Sequence, residues 1–118
     1  MRMFIVNEND FEYRFGDSGP KYLMKGPRMN YALVQFQPGQ DFQAHFHNVM
    51  EENFYILTGK VDIVIDGVVH TLSEGDFIHI EPSEVHYVRN PYDQAVKMVS
   101  TLAPFQESDK VETENPVY

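Results

Sequence analysis

His45 and His47 stand one residue apart, Glu52 follows shortly after, and His86 lies far downstream; together these four side chains have the types needed to hold a metal ion. In an extended strand, residues i and i+2 face the same way, so His45-Phe46-His47 sets two imidazoles side by side. Glu52 can turn a carboxylate into the same space across a short loop, and His86 from a distant strand can close the set. Imidazole with carboxylate suits manganese, iron, nickel or zinc better than calcium or magnesium, which take oxygen throughout. One divalent transition metal ion per chain is therefore expected. Three histidines and one carboxylate leave one or two positions open on an octahedral ion, and an open position separates a catalytic metal from a structural one.

The elements that must position these groups read as short strands punctuated by turns. Tyr31 to Gln37 is β-rich and stops at Pro38-Gly39. In Phe42 to His47, alternation puts Gln43, His45 and His47 on one face and Phe42, Ala44 and Phe46 on the other. Glu52 to Leu57 is the next strand, and Val61 to Ile65 alternates into Asp66-Gly67, a preferred dipeptide for a tight hairpin. Val68 to Leu72, Phe77 to Ile80, Val85 to Arg89 and Ala95 to Ala103 follow, each bounded by turn residues. Turns at this frequency predict an all-β antiparallel sandwich or barrel.

Glycines complete the pattern. Gly39 precedes His45, Gly59 follows Glu52, and Gly75 opens a second block that runs to His86 and Asn90. This arrangement resembles the cupin family, whose first motif places Gly, His-x-His, Glu and Gly at the intervals found from Gly39 to Gly59. The second motif runs from Gly through a Pro-x-Gly turn to His and then Asn. Here that turn reads Glu81-Pro82-Ser83, without the family's Pro and Gly positions. The resemblance implies a double-stranded β-helix, or jelly-roll barrel, with His45, His47, Glu52 and His86 as ligands. Glu51 competes for the carboxylate role, but the spacing to Gly59 selects Glu52 and leaves Glu51 to solvent or a subunit boundary. His70 and His79 match no ligand position.

Length and composition bound the remainder. A chain of 118 residues allows one domain, residues 1–118, with the barrel core at about 30–105, a flanking segment at 1–29 and a polar acidic tail at 106–118. Phe4, Phe11, Tyr13, Phe15 and Tyr22 make the flank too aromatic for a disordered arm, whereas the tail reads as a loosely ordered end. No cysteine is present, so no disulfide framework is available. The first residues lack the apolar run of a signal peptide and no stretch is long enough to span a membrane, so a cytoplasmic location is expected. A net charge of −9 argues against nucleic acid or an anionic membrane as partner.

The metal's purpose is less legible. Such an ion can polarise a carbonyl or carboxylate, orient two substrate oxygens, or bring dioxygen beside a substrate. The cupin resemblance implies dioxygenases, decarboxylases, isomerases, epimerases and proteins that only bind, and fold does not choose among them. Two-unit oxalate decarboxylases of the family carry an arginine where this chain has Phe42, so oxalate decarboxylation is disfavoured. The expectation is a metalloenzyme acting on a small oxygen-bearing metabolite by dioxygenase, isomerase or lyase chemistry. The alternative is a non-catalytic cupin that binds or senses a small molecule. Tyr31, Tyr55 and His79 are the acid–base candidates. Gln43, Met50, Phe54, Met98 and Arg28 are the candidate substrate contacts, and Lys21 and Lys25 could join Arg28 in holding an anion. Core packing is the competing reading of the aromatic and methionine positions. Apolar Tyr55 and Leu57 on the outer parity of their strand, with the aromatic flank, point to a homodimer in which the N-terminal segment pairs with an edge strand of a second barrel.

Overall fold

The structure is a computed structural model and describes residues 3–116. Two five-stranded antiparallel sheets face one another. The first contains β1 (Gly19–Lys25), β2 (Asn30–Phe36), β9 (Val96–Ala103), β4 (Glu51–Thr58) and β7 (Phe77–Ile80), in that spatial order. The second contains β10 (Lys110–Glu112), β3 (His45–His47), β8 (His86–Arg89), β5 (Lys60–Ile65) and β6 (Val68–Ser73). This is the double-stranded β-helix.

Alternation builds the core. On β4, Glu52, Phe54 and Ile56 face inward while Tyr55 and Leu57 face out. On β9, Val96, Met98, Ser100 and Leu102 are all buried. Phe36, Phe54, Ile56, Val61, Ile63 and Met98 form the centre between the sheets, each 1% exposed or less. Removing such side chains from water supplies roughly 1.5–3 kcal/mol apiece. Phe54 and Met98, candidate substrate contacts by sequence, belong to this core.

The turns follow their chemistry. Asp66 and Gly67 both have positive φ, 51° and 79°, which suits the right-handed twist of β5 and β6. Gly59 has φ +84°, and a Cβ there would lie 2.4 Å from the carbonyl oxygen of Ala95, so only glycine fits. Asn90 is fully buried; its amide donates to the carbonyls of Phe36 and Gln94 and its oxygen accepts from the Tyr92 N–H. That fastens the end of β8 to β2.

The structure departs from the sequence expectation in three places. The sheets extend beyond residues 30–105, because β1 pairs with β2 and β10 pairs with β3. The tail is therefore a strand and strap through residue 116, with Val117 and Tyr118 outside the described residues. The parity assigned to Phe42–His47 also breaks. Regular pairing of β3 begins only at His45, so Phe42 turns inward against Phe36 (ring centroids 4.6 Å apart) and Gln43 turns outward. Finally, the flank ahead of β2 supplies a barrel strand, β1, with the Glu8 carboxylate 2.8 Å from Lys97 and 3.6 Å from Lys21 within the chain.

Ser83 stands where the second motif has glycine, and it adopts φ 73°. Its N–H donates to the carbonyl of His47 (2.7 Å), so the turn keeps its shape in a left-handed conformation that costs an L side chain roughly 1–2 kcal/mol. Ser83→Gly removes that cost and returns part of it as unfolded-chain entropy. The expected net gain is about 0.5–1 kcal/mol, seen as a rise in denaturation midpoint. An unchanged or lower midpoint would show that the Ser83 backbone is unstrained.

Candidate metal centre

The central strands of both sheets deliver the four side chains. His45 and His47 share the inner face of β3, Glu52 comes from the start of β4, and His86 opens β8 directly opposite His45. All four are buried, and one donor atom from each lies within 4.8 Å of all the others. Glu52 Oε1 is 2.9 Å from His86 Nε2, 3.4 Å from His47 Nε2 and 4.0 Å from His45 Nε2. Its second oxygen accepts from the Ser100 hydroxyl at 2.8 Å.

Each imidazole is oriented from behind by a peptide carbonyl. Nδ1 of His45 meets the carbonyl of Gln43 (2.7 Å), Nδ1 of His47 that of Asp109 (3.2 Å), and Nδ1 of His86 that of Glu84 (3.0 Å). A carbonyl only accepts, so Nδ1 carries a proton in all three rings, and in its neutral form each ring turns a lone pair on Nε2 toward the centre. Three lone pairs and a carboxylate converging at this spacing fit a transition ion. His47 Nε2 is buried without a hydrogen-bond partner, a position that a bound cation would satisfy.

The metal-free electrostatics follow. Burial, and then the charge of His86, push the His45 imidazole down to about 4. Burial alone would raise Glu52, but the imidazoles of His47 and His86, 3.4 and 2.9 Å from its Oε1, overcome it and hold the carboxyl below its usual range. Burial likewise opposes charging of His86, and the bond to Glu52 outweighs it, so His86 is raised. With Nδ1 beside a carbonyl and Nε2 beside a carboxylate, the charged form of His86 is favoured when no metal is bound.

Metal binding must therefore displace the His86 proton. At pH 6 about one proton should be released per ion bound, with affinity falling as pH drops through the raised His86 value and release fading above it. Calorimetry in buffers of different ionisation enthalpy measures this directly. Zero release at pH 6 would show that His86 is not a ligand.

A cavity of about 60 Å³ opens onto His45, His47 and Glu52, walled by Ala32, Val34, Phe42 and Leu102. Arg14, Tyr22 and Lys110 stand on its remaining side, and His86 closes the back of the cluster. A larger chamber of about 540 Å³ adjoins it and shares Tyr22, His47, Leu102 and Lys110. Burial and then the nearby Glu52 charge raise the Tyr22 phenol, against the opposing pull of Arg14, so it stands as a neutral donor.

The other sequence candidates fall as follows. Met50 lines the larger chamber, as does Lys25. Gln43 is exposed and donates to the Thr113 carbonyl, away from the cavity. Arg28 is exposed and lines neither chamber, and Lys21 is occupied by the Glu8 carbonyl (3.0 Å) and the Tyr13 ring (4.4 Å). Tyr31 and Tyr55 take the outward parity of β2 and β4. His79 lies exposed outside β7, bonded to Asn53 (2.6 Å) and 3.5 Å from Glu51, so Glu51 is on the outer face while Glu52 joins the histidine cluster. Sequence reasoning missed Tyr22, Arg14, Lys110, Ser100 and Asp109. Only Ser100 left a signal, as a lone hydroxyl in the apolar register of Met98 and Leu102.

Among the described residues no helix is long and apolar enough to cross a membrane. The chain is 31% identical over 87 residues to the polyketide synthase protein CurC of Streptomyces cyaneus, covering 71% of this chain and 56% of that protein. It is 37% identical over 60 residues to quercetin 2,3-dioxygenase of Bacillus subtilis, covering 51% of this chain and 18% of the enzyme. The polyketide cyclase RemF of Streptomyces resistomycificus superposes with a TM-score of 0.82 at 18% identity, over 98% of this chain and 88% of that one, a likeness of fold. The cupin-domain family profile matches residues 32–102, which takes in all four clustered side chains and strands of both sheets, with β1 and β10 outside it. The chain belongs to the cupin family.

Proposed function

We propose that this cupin is a metal-dependent enzyme acting on a small oxygen-bearing metabolite. The observation that carries the reading is that three of the four clustered side chains line a cavity, so an ion held there has a face open to a ligand. A bound metal supplies Lewis acidity toward a carbonyl, enol or carboxylate oxygen. The chain's own residues do the rest. Ser100 fixes the Glu52 carboxylate, the apolar wall excludes water, and Tyr22 holds a proton beside the cluster. Carbonyl–enol chemistry, such as isomerisation or ring closure, is favoured over dioxygen insertion. Tyr22 provides a proton donor, and the names of CurC and RemF point to polyketide substrates. Oxygenation is the second reading, supported by the similarity to quercetin 2,3-dioxygenase.

Elemental analysis of protein purified without added metal, followed by incubation with β-diketones and polyphenols under an oxygen electrode, tests these readings. Zinc or manganese with product and no oxygen uptake is expected. Iron with oxygen uptake favours oxygenation, and saturable binding without turnover leaves a binding protein. The same reading takes the chain as a homodimer, with Tyr55, Leu57 and Phe77 exposed on one outer sheet face. Light scattering should give twice the 13.7 kDa chain mass.

A further inference from the structure

The charge lining the inner chamber runs against the charge of the chain. The protein carries 18 acidic and 9 basic residues, yet Glu52 is the one carboxylate on the inner chamber, where Arg14 and Lys110 also line the wall, the Lys110 ammonium 3.9 Å from Glu112. On the metal-centre reading, a divalent ion, one carboxylate and neutral imidazoles leave a positive centre, and Arg14 and Lys110 add to it. In a partly desolvated space such an excess favours an anion strongly.

The volumes say what shape of anion fits. The inner chamber, about 60 Å³, is well below the roughly 150 Å³ of a cavity that takes up benzene, enough for a carboxylate or enolate group but not a ring. The outer chamber, about 540 Å³, falls within the roughly 300–1,000 Å³ of small-molecule sites. Tyr22, His47, Leu102 and Lys110 line both and form the throat between them. On the outer side the Asp109 carboxylate is already engaged by three backbone N–H groups, and Lys25 and Glu107 offset one another, so the basic excess is confined to the inner chamber and the throat.

We propose that the ligand is an organic monoanion with an apolar body, its oxygen-bearing head in the inner chamber and its body in the outer one. Arg14 and Lys110 recognise the charge, and Tyr22 sets the width of the throat. The proposal rests on the metal-centre reading and adds to it the ligand's class and the residues that select it. None of Arg14, Tyr22 and Lys110 is a metal ligand, so their effects separate from metal binding.

The test uses the full chain loaded with Co²⁺, benzoate as the anionic probe and benzamide as its neutral isostere. Benzoate should perturb the visible Co²⁺ spectrum saturably and bind at least about tenfold more tightly than benzamide, the ratio expected when an unpaired charge must be met. Exchanging both Arg14→Gln and Lys110→Gln should weaken benzoate by about tenfold or more while Co²⁺ affinity stays within about twofold. Tyr22→Trp should exclude benzoate yet still admit formate, which needs only the inner chamber. Equal affinity for benzoate and benzamide, or benzoate binding indifferent to the double exchange, overturns the anion proposal alone. Failure to bind Co²⁺ overturns the metal reading and this proposal with it.

Discussion

Replacing His86 by Ala is expected to remove tight metal binding. Loss of a partner behind a ligand costs roughly 10–100-fold in metal affinity, and loss of the ligand itself should exceed that. His45→Ala, His47→Ala and Glu52→Ala should behave in the same way, since all four donor atoms share one 4.8 Å cluster. Glu51→Ala should match the wild type, because Glu51 pairs with His79 on the outer face. Thermal unfolding gives a second readout. An ion present at a hundred times its dissociation constant stabilises the wild type by about 2.7 kcal/mol, and that increment should vanish in His86→Ala. The apolar core between the sheets does not include His86, so the variant should remain folded. Equal metal content in His86→Ala and wild type would end the four-ligand assignment.

The second large effect is expected far from the motif, at Asp109. This residue is 6% exposed, and its carboxylate accepts from the backbone N–H groups of Asn48, Val49 and Met50 at 2.8–3.2 Å. Burial opposes its ionisation, but these donors and His47 outweigh it and hold the carboxyl below its ordinary range. Its own carbonyl accepts from His47 Nδ1. Asp109 therefore fixes both the orientation of one ligand and the loop that joins it to Glu52. Asp109→Ala should cost at least about 1.5–3 kcal/mol, the range for a hydrogen bond to a charged group, and lower metal affinity by about 10–100-fold. Asp109→Asn keeps one accepting oxygen and should fall between. Because the carboxyl is held low, its stabilisation is full above the unfolded carboxylate value and is lost only as pH falls through the folded one. The difference between variant and wild type should accordingly narrow in strong acid. Wild-type metal affinity in Asp109→Ala would reduce the residue to a loop fastener.

Asp109 also marks where the sequence stopped being readable. The ligands were legible because His45 and His47 sit on a regular strand and Glu52 and His86 fall at motif intervals. Asp66-Gly67 was legible because its dipeptide dictates a turn. Strand β10 was not, since Lys110-Val111-Glu112 is exposed throughout and is held by ladder hydrogen bonds to β3 rather than by an apolar face. Strand β1 opens with Gly19-Pro20 and carries a register shift between Tyr22 and Met24, which blurs its alternation and hides that Pro20 and Tyr22 point into the cavity. Gln43 was misjudged because period-two reasoning fails across the irregular stretch before His45.

The bond between the Met50 N–H and Asp109 joins residues 59 positions apart. During synthesis, at roughly 5–20 residues per second, the histidine pair and Glu52 leave the ribosome several seconds before the residue that locks them. A nascent chain thus carries His45, His47 and Glu52 loosely held until residue 109 is made, and the four-residue cluster takes its final geometry only when the strap closes. Assembly of the cluster becomes a late maturation event, and a chain cut short before residue 109 would carry the histidine pair and Glu52 without the lock that organises them.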